Sequence, residues 1–150
     1  RMPELPDCVA ELHQALLKTE SISAQAAVTV VDLSKSCNWI TSVAIGNVSG
    51  SAITKNKSTT INCHRGMIGG IIPESIGIHE IPVDDDFMLV FTTDGLVHSK
   101  ALTYLQERLE LKRIHELDLE IEVKKIVAQF GSQYDDSSCG IVRSISAADQ

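Results

Sequence analysis

The chain has 150 residues, 43% of them hydrophobic, and a net charge of −7. That length suits one ordinary domain able to bury roughly two-thirds of its unfolded surface, and the composition is globular rather than disordered or fibrous. An acidic chain without a basic cluster is a poor partner for nucleic acid or anionic lipid, and its apolar runs fall far short of a membrane span.

The opening RMPELPDCVAELHQ has no apolar core of signal-peptide length. Leu5, Cys8, Val9, Leu12 and Leu16 repeat at helical spacing. Pro6 suits a first turn and Asp7 suits the positive end of the helix dipole, so the pattern predicts a helix from Pro6 to about Thr19. AAVTVVDL (26–33) and CNWITSVAIG (37–46), separated by SKS, read as a hairpin. After Gly46-Asn47, SAIT (51–54) and TINCH (60–64) read as short strands around the polar loop KNKST, and together these segments predict an antiparallel meander. RGMIGGIIPESIG (65–77) has too many glycines for the interior of a strand or helix. No Lys follows them as a phosphate loop would require, so a shaped connection is expected there.

IHEIPV (78–83) alternates as a strand does, VDDD turns, and FMLVFTT (87–93) is apolar enough to be an inner strand covered on both faces. Ala101, Leu102, Leu105 and Leu109 mark a helix. LDLEIEV (117–123) alternates like a strand, but Leu119, Val123, Ile126, Val127 and Phe130 fit a second helix that Gly131 would cap. SCGIVRSI (138–145) is the last strand. The four cysteines, Cys8, Cys37, Cys63 and Cys139, are scattered without a CxxC pair, which predicts free thiols in a reducing cytoplasm. Met2, Met67 and Met88 read as core filler.

Two carboxylate sites interrupt this pattern. Asp94 ends the most apolar strand, and Asp135-Asp136 precede the last one. Asp-Gly is a common turn dipeptide, so Asp94-Gly95 reads either as a turn or as a metal carboxylate at a strand end; residue types alone leave both open. If the two strands are neighbours, the carboxylates converge at one sheet edge. Short oxygen ligands on rigid strand ends suit Mg²⁺ or Mn²⁺ and metal-assisted attack on a phosphate.

The order of these elements resembles the PPM-type metal-dependent serine/threonine phosphatases, in their bacterial SpoIIE-like branch. A helix leads to AAVTVVDL, then a strand with Trp39, then IGNVSG, GMIGG, DDDFMLVFTTDGL, two helices and DDSSCGIVR. The similarity covers nearly the whole chain and rests on the order more than on any one motif. It implies an α+β fold, an α-β-β-α sandwich of two antiparallel sheets flanked by helices. It also implies hydrolysis of phosphoserine or phosphothreonine by water activated at a centre of two Mn²⁺ or Mg²⁺ ions. On this resemblance the metal aspartate of the T/S-DG element falls on Asp94, and the terminal ligand falls on Asp135 with Asp136 beside it. Gly46 and Asn47 match a structural turn. The implied substrate is a phosphorylated regulator of the anti-sigma-factor-antagonist type, in the bacterial cytoplasm, with a homodimer as a further partner class.

The chain departs from the family in one respect. The family opens with two strands and an Asp-Gly-x-Gly-His-Gly motif whose Asp bridges both metals, and only Asp94 is followed by Gly here. Asp7, Asp32 and Asp84–Asp86 read as helix-start, hairpin and turn residues. The expectation is a single SpoIIE-like domain over 1–150, an N-terminally truncated copy, the alternative being a natural variant that has lost the motif. Three functions compete: a phosphoprotein phosphatase in the parent protein, a catalytically incompetent phosphatase-like binding or dimerisation module, and an unrelated α/β domain whose acidic pairs are turns. His64, His79 and His98 share no zinc-type spacing and are not expected to bind metal.

Overall fold

The computed structural model describes residues 4–19, 25–33, 39–83 and 86–144. In chain order the elements are α1 (Leu5–Leu17), β1 (Val28–Asp32), β2 (Trp39–Ile45), β3 (Ser49–Ile53), β4 (Ser58–Ile61), β5 (His79–Pro82), β6 (Met88–Thr92), α2 (His98–Leu111), a 3₁₀ turn (Ile114–Glu116), α3 (Leu119–Phe130) and β7 (Cys139–Arg143). The fold is α+β, with two antiparallel sheets and three α-helices among the described residues. The chain forms two compact units.

The first unit holds α1 and the sheet β1-β2-β5. β1 and β2 form the expected hairpin pairing, Val28 opposite Ile45 through Asp32 opposite Thr41, while Cys37 and the turn before it lie outside the described residues. Pro6 sits in the first turn of α1, where its missing N–H has no helical partner to lose. Val9 packs with Val43, Ile45 and Ile68 into a fully buried cluster. The meander expected through residue 64 does not form. β2 pairs with β1 and β5, whereas β3 belongs to the other sheet. Strand alternation specifies a strand but not its partner, and the chain changes sheets at Gly46. That residue has φ of +106°, and a Cβ there would lie 2.4 Å from the Ala27 Cβ, so the turn read at Gly46 admits only glycine. TINCH is likewise a strand only to Ile61; His64 instead forms a parallel bridge with Ile45.

The second unit holds the sheet β4-β3-β6-β7 with α2 and α3. β6 is an inner strand, and Met88, Leu89 and Val90 are all buried, as the unbroken apolar run requires. Leu105, Leu109, Ile126 and Leu96 complete a core with Ile53, Met88 and Val90. Asp118 caps α3 by accepting from the Ile121 N–H, and helix rather than strand prevails over 119–130. Gly131 caps α3 as expected, its N–H donating to the Val127 carbonyl at 3.0 Å, with the chain leaving in an extended conformation (φ −71°, ψ 145°). Arg143 on β7 donates through Nη1 to the carbonyls of Ile114, His115 and Leu117, tying the 3₁₀ turn to the sheet.

Candidate metal-binding site

The end of β6 and the start of β7 lie side by side. The two strands are antiparallel neighbours, with Thr92 opposite Cys139, so Asp94 leaves the sheet where Asp135 and Asp136 enter it. Asp94 does not close a hairpin. The Leu96 N–H donates to the Thr93 carbonyl at 3.1 Å, so Asp94 and Gly95 are the central residues of a turn that feeds α2. The turn and the strand-end carboxylate are therefore one feature.

Hydroxyl groups staple the two loops together. Thr93 donates its N–H to the Ser138 carbonyl, its Oγ1 accepts from the Ser138 N–H at 2.9 Å, and the same Oγ1 donates to the Asp136 carbonyl at 3.3 Å. Ser137 Oγ donates to the Gly95 carbonyl at 2.6 Å and accepts from the Ser132 N–H, which also donates to the Gly95 carbonyl at 2.7 Å. Gly95 makes this approach possible, since a Cβ there would lie 2.3 Å from the Asp136 carbonyl oxygen. Leu96 bridges Gly131, which fixes the end of α3 on the same turn. Thr93 and Ser137 were missed in the sequence reading; the hydroxyl pairs flanking the acids, Thr92-Thr93 and Ser137-Ser138, were the available signal.

Asp94, Asp135 and Asp136 are all exposed on these loops. Asp135 Oδ1 accepts from the Asp136 N–H at 2.8 Å, which shapes the second loop. Burial pushes the neighbouring Cys139 thiol up to about 11, leaving it protonated and a poor ligand. His64 shares its Nε2 with the backbone of Gly77, and His79 Nδ1 accepts from the Asn62 N–H. His98 bonds to Ser51 and Thr92. Of the acidic turn before β6, Asp84 and Asp85 lie outside the described residues.

Carboxylate oxygens on two joined loops fit Mg²⁺ or Mn²⁺, which accept one or two protein carboxylates and complete their shell with water. Among the described residues, however, no three His, Cys, Asp or Glu side chains are grouped to hold a metal ion. The chemistry of these donors suits a hydrated cation of that kind, and among the described residues their number falls short of a two-ion centre.

The fold, two antiparallel sheets with helices, is that of the PPM-type phosphatases. RsbX, solved in complex with magnesium, matches with a TM-score of 0.70 at 14% identity, covering 96% of this chain and 66% of that one. The phosphatase domain of the cell fate determinant SpoIIE from Bacillus subtilis matches with a TM-score of 0.55 at 11% identity, over 98% of this chain and 75% of that one. A chain from work on the bacterial stressosome, a modular system adapted to control secondary messenger signalling, matches with a TM-score of 0.64 at 14% identity, over 91% and 76%. This chain thus spans between 66% and 76% of the length of those structures. No protein-family model and no curated protein sequence matches it.

Proposed function

We propose that this chain carries the aspartate-bearing end of a SpoIIE-like, PPM-type protein phosphatase. The protein would hydrolyse phosphoserine or phosphothreonine on a phosphorylated regulator such as an anti-sigma-factor antagonist. The observation that carries the reading is the double staple through Thr93 and Ser137, which joins the Asp94 turn to the Asp135-Asp136 loop. The shared fold with magnesium-bound RsbX and with the SpoIIE phosphatase domain supports it.

In this reading Asp94 and Asp135, with Asp136 alongside, hold Mg²⁺ or Mn²⁺. A bound ion supplies a water of lowered pKa and shields phosphoryl charge. Thr93 and Ser137 keep the two loops in register, and Gly95 lets them touch. The absence of an Asp-Gly-x-Gly-His-Gly sequence in these 150 residues gives a second reading its footing, a phosphatase-like module that binds a phosphorylated regulator without hydrolysing it.

A phosphopeptide assay under Mn²⁺ titration separates the two. The phosphatase reading expects Mn²⁺-dependent phosphate release from a protein that joins this chain to an Asp-Gly-x-Gly-His-Gly segment, little from the chain alone, and none after Asp94→Asn. Binding without turnover in the joined protein would overturn it in favour of the second reading.

A further inference from the structure

His98 is the first residue of α2, and its ring bridges side chains of two adjacent strands of the sheet. Nε2 is 2.9 Å from Ser51 Oγ on β3, and Nδ1 is 2.9 Å from Thr92 Oγ1 on β6. Ser51 and Thr92 are almost wholly buried, at 0% and 1% exposure, so each hydroxyl depends on a protein partner. A neutral imidazole has one donor and one acceptor nitrogen, and a hydroxyl can serve either. One ring therefore satisfies both strands, and burial holds its pKa below the ordinary histidine value. With both nitrogens engaged inside the fold, the ring has none to offer a metal or a substrate.

What the ring encloses is the Asp94 turn. The Thr92–His98 bond closes the segment Thr92–His98 on itself, with Asp94 inside. Val97, at the helix N-cap, makes no side-chain capping bond of its own. Between strand and helix the turn is held on one side by the Asp135–Ser138 loop and on the other by this ring.

We propose that His98 is the positioning residue for Asp94: by clamping the start of α2 to β3 and β6, it fixes the turn that presents the carboxylate to the Asp135-Asp136 loop. The functional value of that clamp rests on the reading of Asp94 as a metal carboxylate. The clamp itself does not.

The test uses Thr92→Val, which keeps the shape and removes the hydroxyl, Thr92→Ser, which restores the hydroxyl, and Ser51→Ala on the other side of the ring. Hydrogen exchange is followed at the Leu96 amide, which closes the turn, and at the Ser132 amide, which binds Gly95. Thr92→Val is expected to speed exchange at both by about tenfold, the equivalent of one buried hydrogen bond, beyond any change at the β6 amides. Ser51→Ala gives the same pattern, and Thr92→Ser returns to the parent. Mn²⁺ affinity, read by electron paramagnetic resonance, falls and recovers in parallel. If Thr92→Val leaves Leu96 and Ser132 as protected as β6, or if Thr92→Ser behaves like Thr92→Val, the clamp is overturned. A parent chain that binds no Mn²⁺ would instead refute the metal reading, while the exchange pattern still decides the clamp.

Discussion

Replacing Arg108 by Met isolates a buried charge whose cost the structure allows to be worked out. Glu122 on α3 is 2% exposed. Its Oε1 accepts from Arg108 Nε at 3.3 Å and Nη2 at 3.1 Å, and its Oε2 accepts from the Tyr104 hydroxyl. Burial pushes the Glu122 carboxyl up, but the hydrogen bonds from Tyr104 and Arg108 and the charges of Arg108 and Lys125 outweigh it, so the group titrates below the ordinary carboxylate value. Removing one partner of a buried pair costs about 3–5 kcal/mol. Two features lower that figure. Arg108 is itself 26% exposed, so its charge is partly screened, and a stranded carboxylate can take up a proton, which caps the penalty at pH 7 at about 3.7 kcal/mol. Arg108→Met is therefore expected to cost about 2–3 kcal/mol and to lower Tm by about 4–12 °C for a chain of this size. Urea and thermal unfolding at pH 7 provide the assay. Because the folded-state pKa is depressed, the pair's contribution is present above the unfolded pKa and is lost as pH falls through the folded pKa, so the deficit shrinks toward acid. Adding Glu122→Gln should recover part of the loss, since the amide oxygen still accepts from Tyr104. A loss below about 1 kcal/mol, or a double variant no better than the single, would refute the reasoning.

Three further outcomes follow from the same geometry. Gly95→Ala drives a Cβ into the Asp136 carbonyl oxygen; it should cost about 1–3 kcal/mol and weaken Mn²⁺ binding, as read by calorimetry and metal titration. Arg143→Met removes a donor shared by three backbone carbonyls and should destabilise by about 1–3 kcal/mol in urea. Burial, then the hydrogen bond and charge of Glu122, push Tyr104 up to about 12. Its raised folded pKa gives stability that is present below the unfolded value and lost as pH rises toward 12, so an ultraviolet titration should show a phenol that ionises in that range.

The sequence revealed elements better than partnerships. β6 could be read because an unbroken apolar run ends abruptly in Thr-Asp-Gly, and α3 because the 119–130 stripe, with Gly131 after it, outweighs the local alternation. The neighbouring of β6 and β7 was assumed from their apolar patterns, and their register shows that pairing, which puts the Asp94 turn and the Asp135-Asp136 loop at the same end of the sheet. The split between β2 and β3 was not legible, because period-two alternation is the same whichever sheet a strand joins. Nothing in LEIEV marks Glu122 as buried; its partners Arg108 and Tyr104 lie more than a dozen residues earlier. The His98 clamp needs Ser51, 47 residues away, and no local pattern announces such a pair.

The central claim, that the two aspartate loops form one cation site, is tested most directly by Mn²⁺ titration of the chain in a double-mutant cycle of Asp94→Asn and Asp135→Asn. The account predicts weak binding by the parent, a loss of about tenfold or more in affinity for each single variant, and a double variant no worse than either single. Full additivity of the two losses, or parent affinity retained by either single variant, would contradict it.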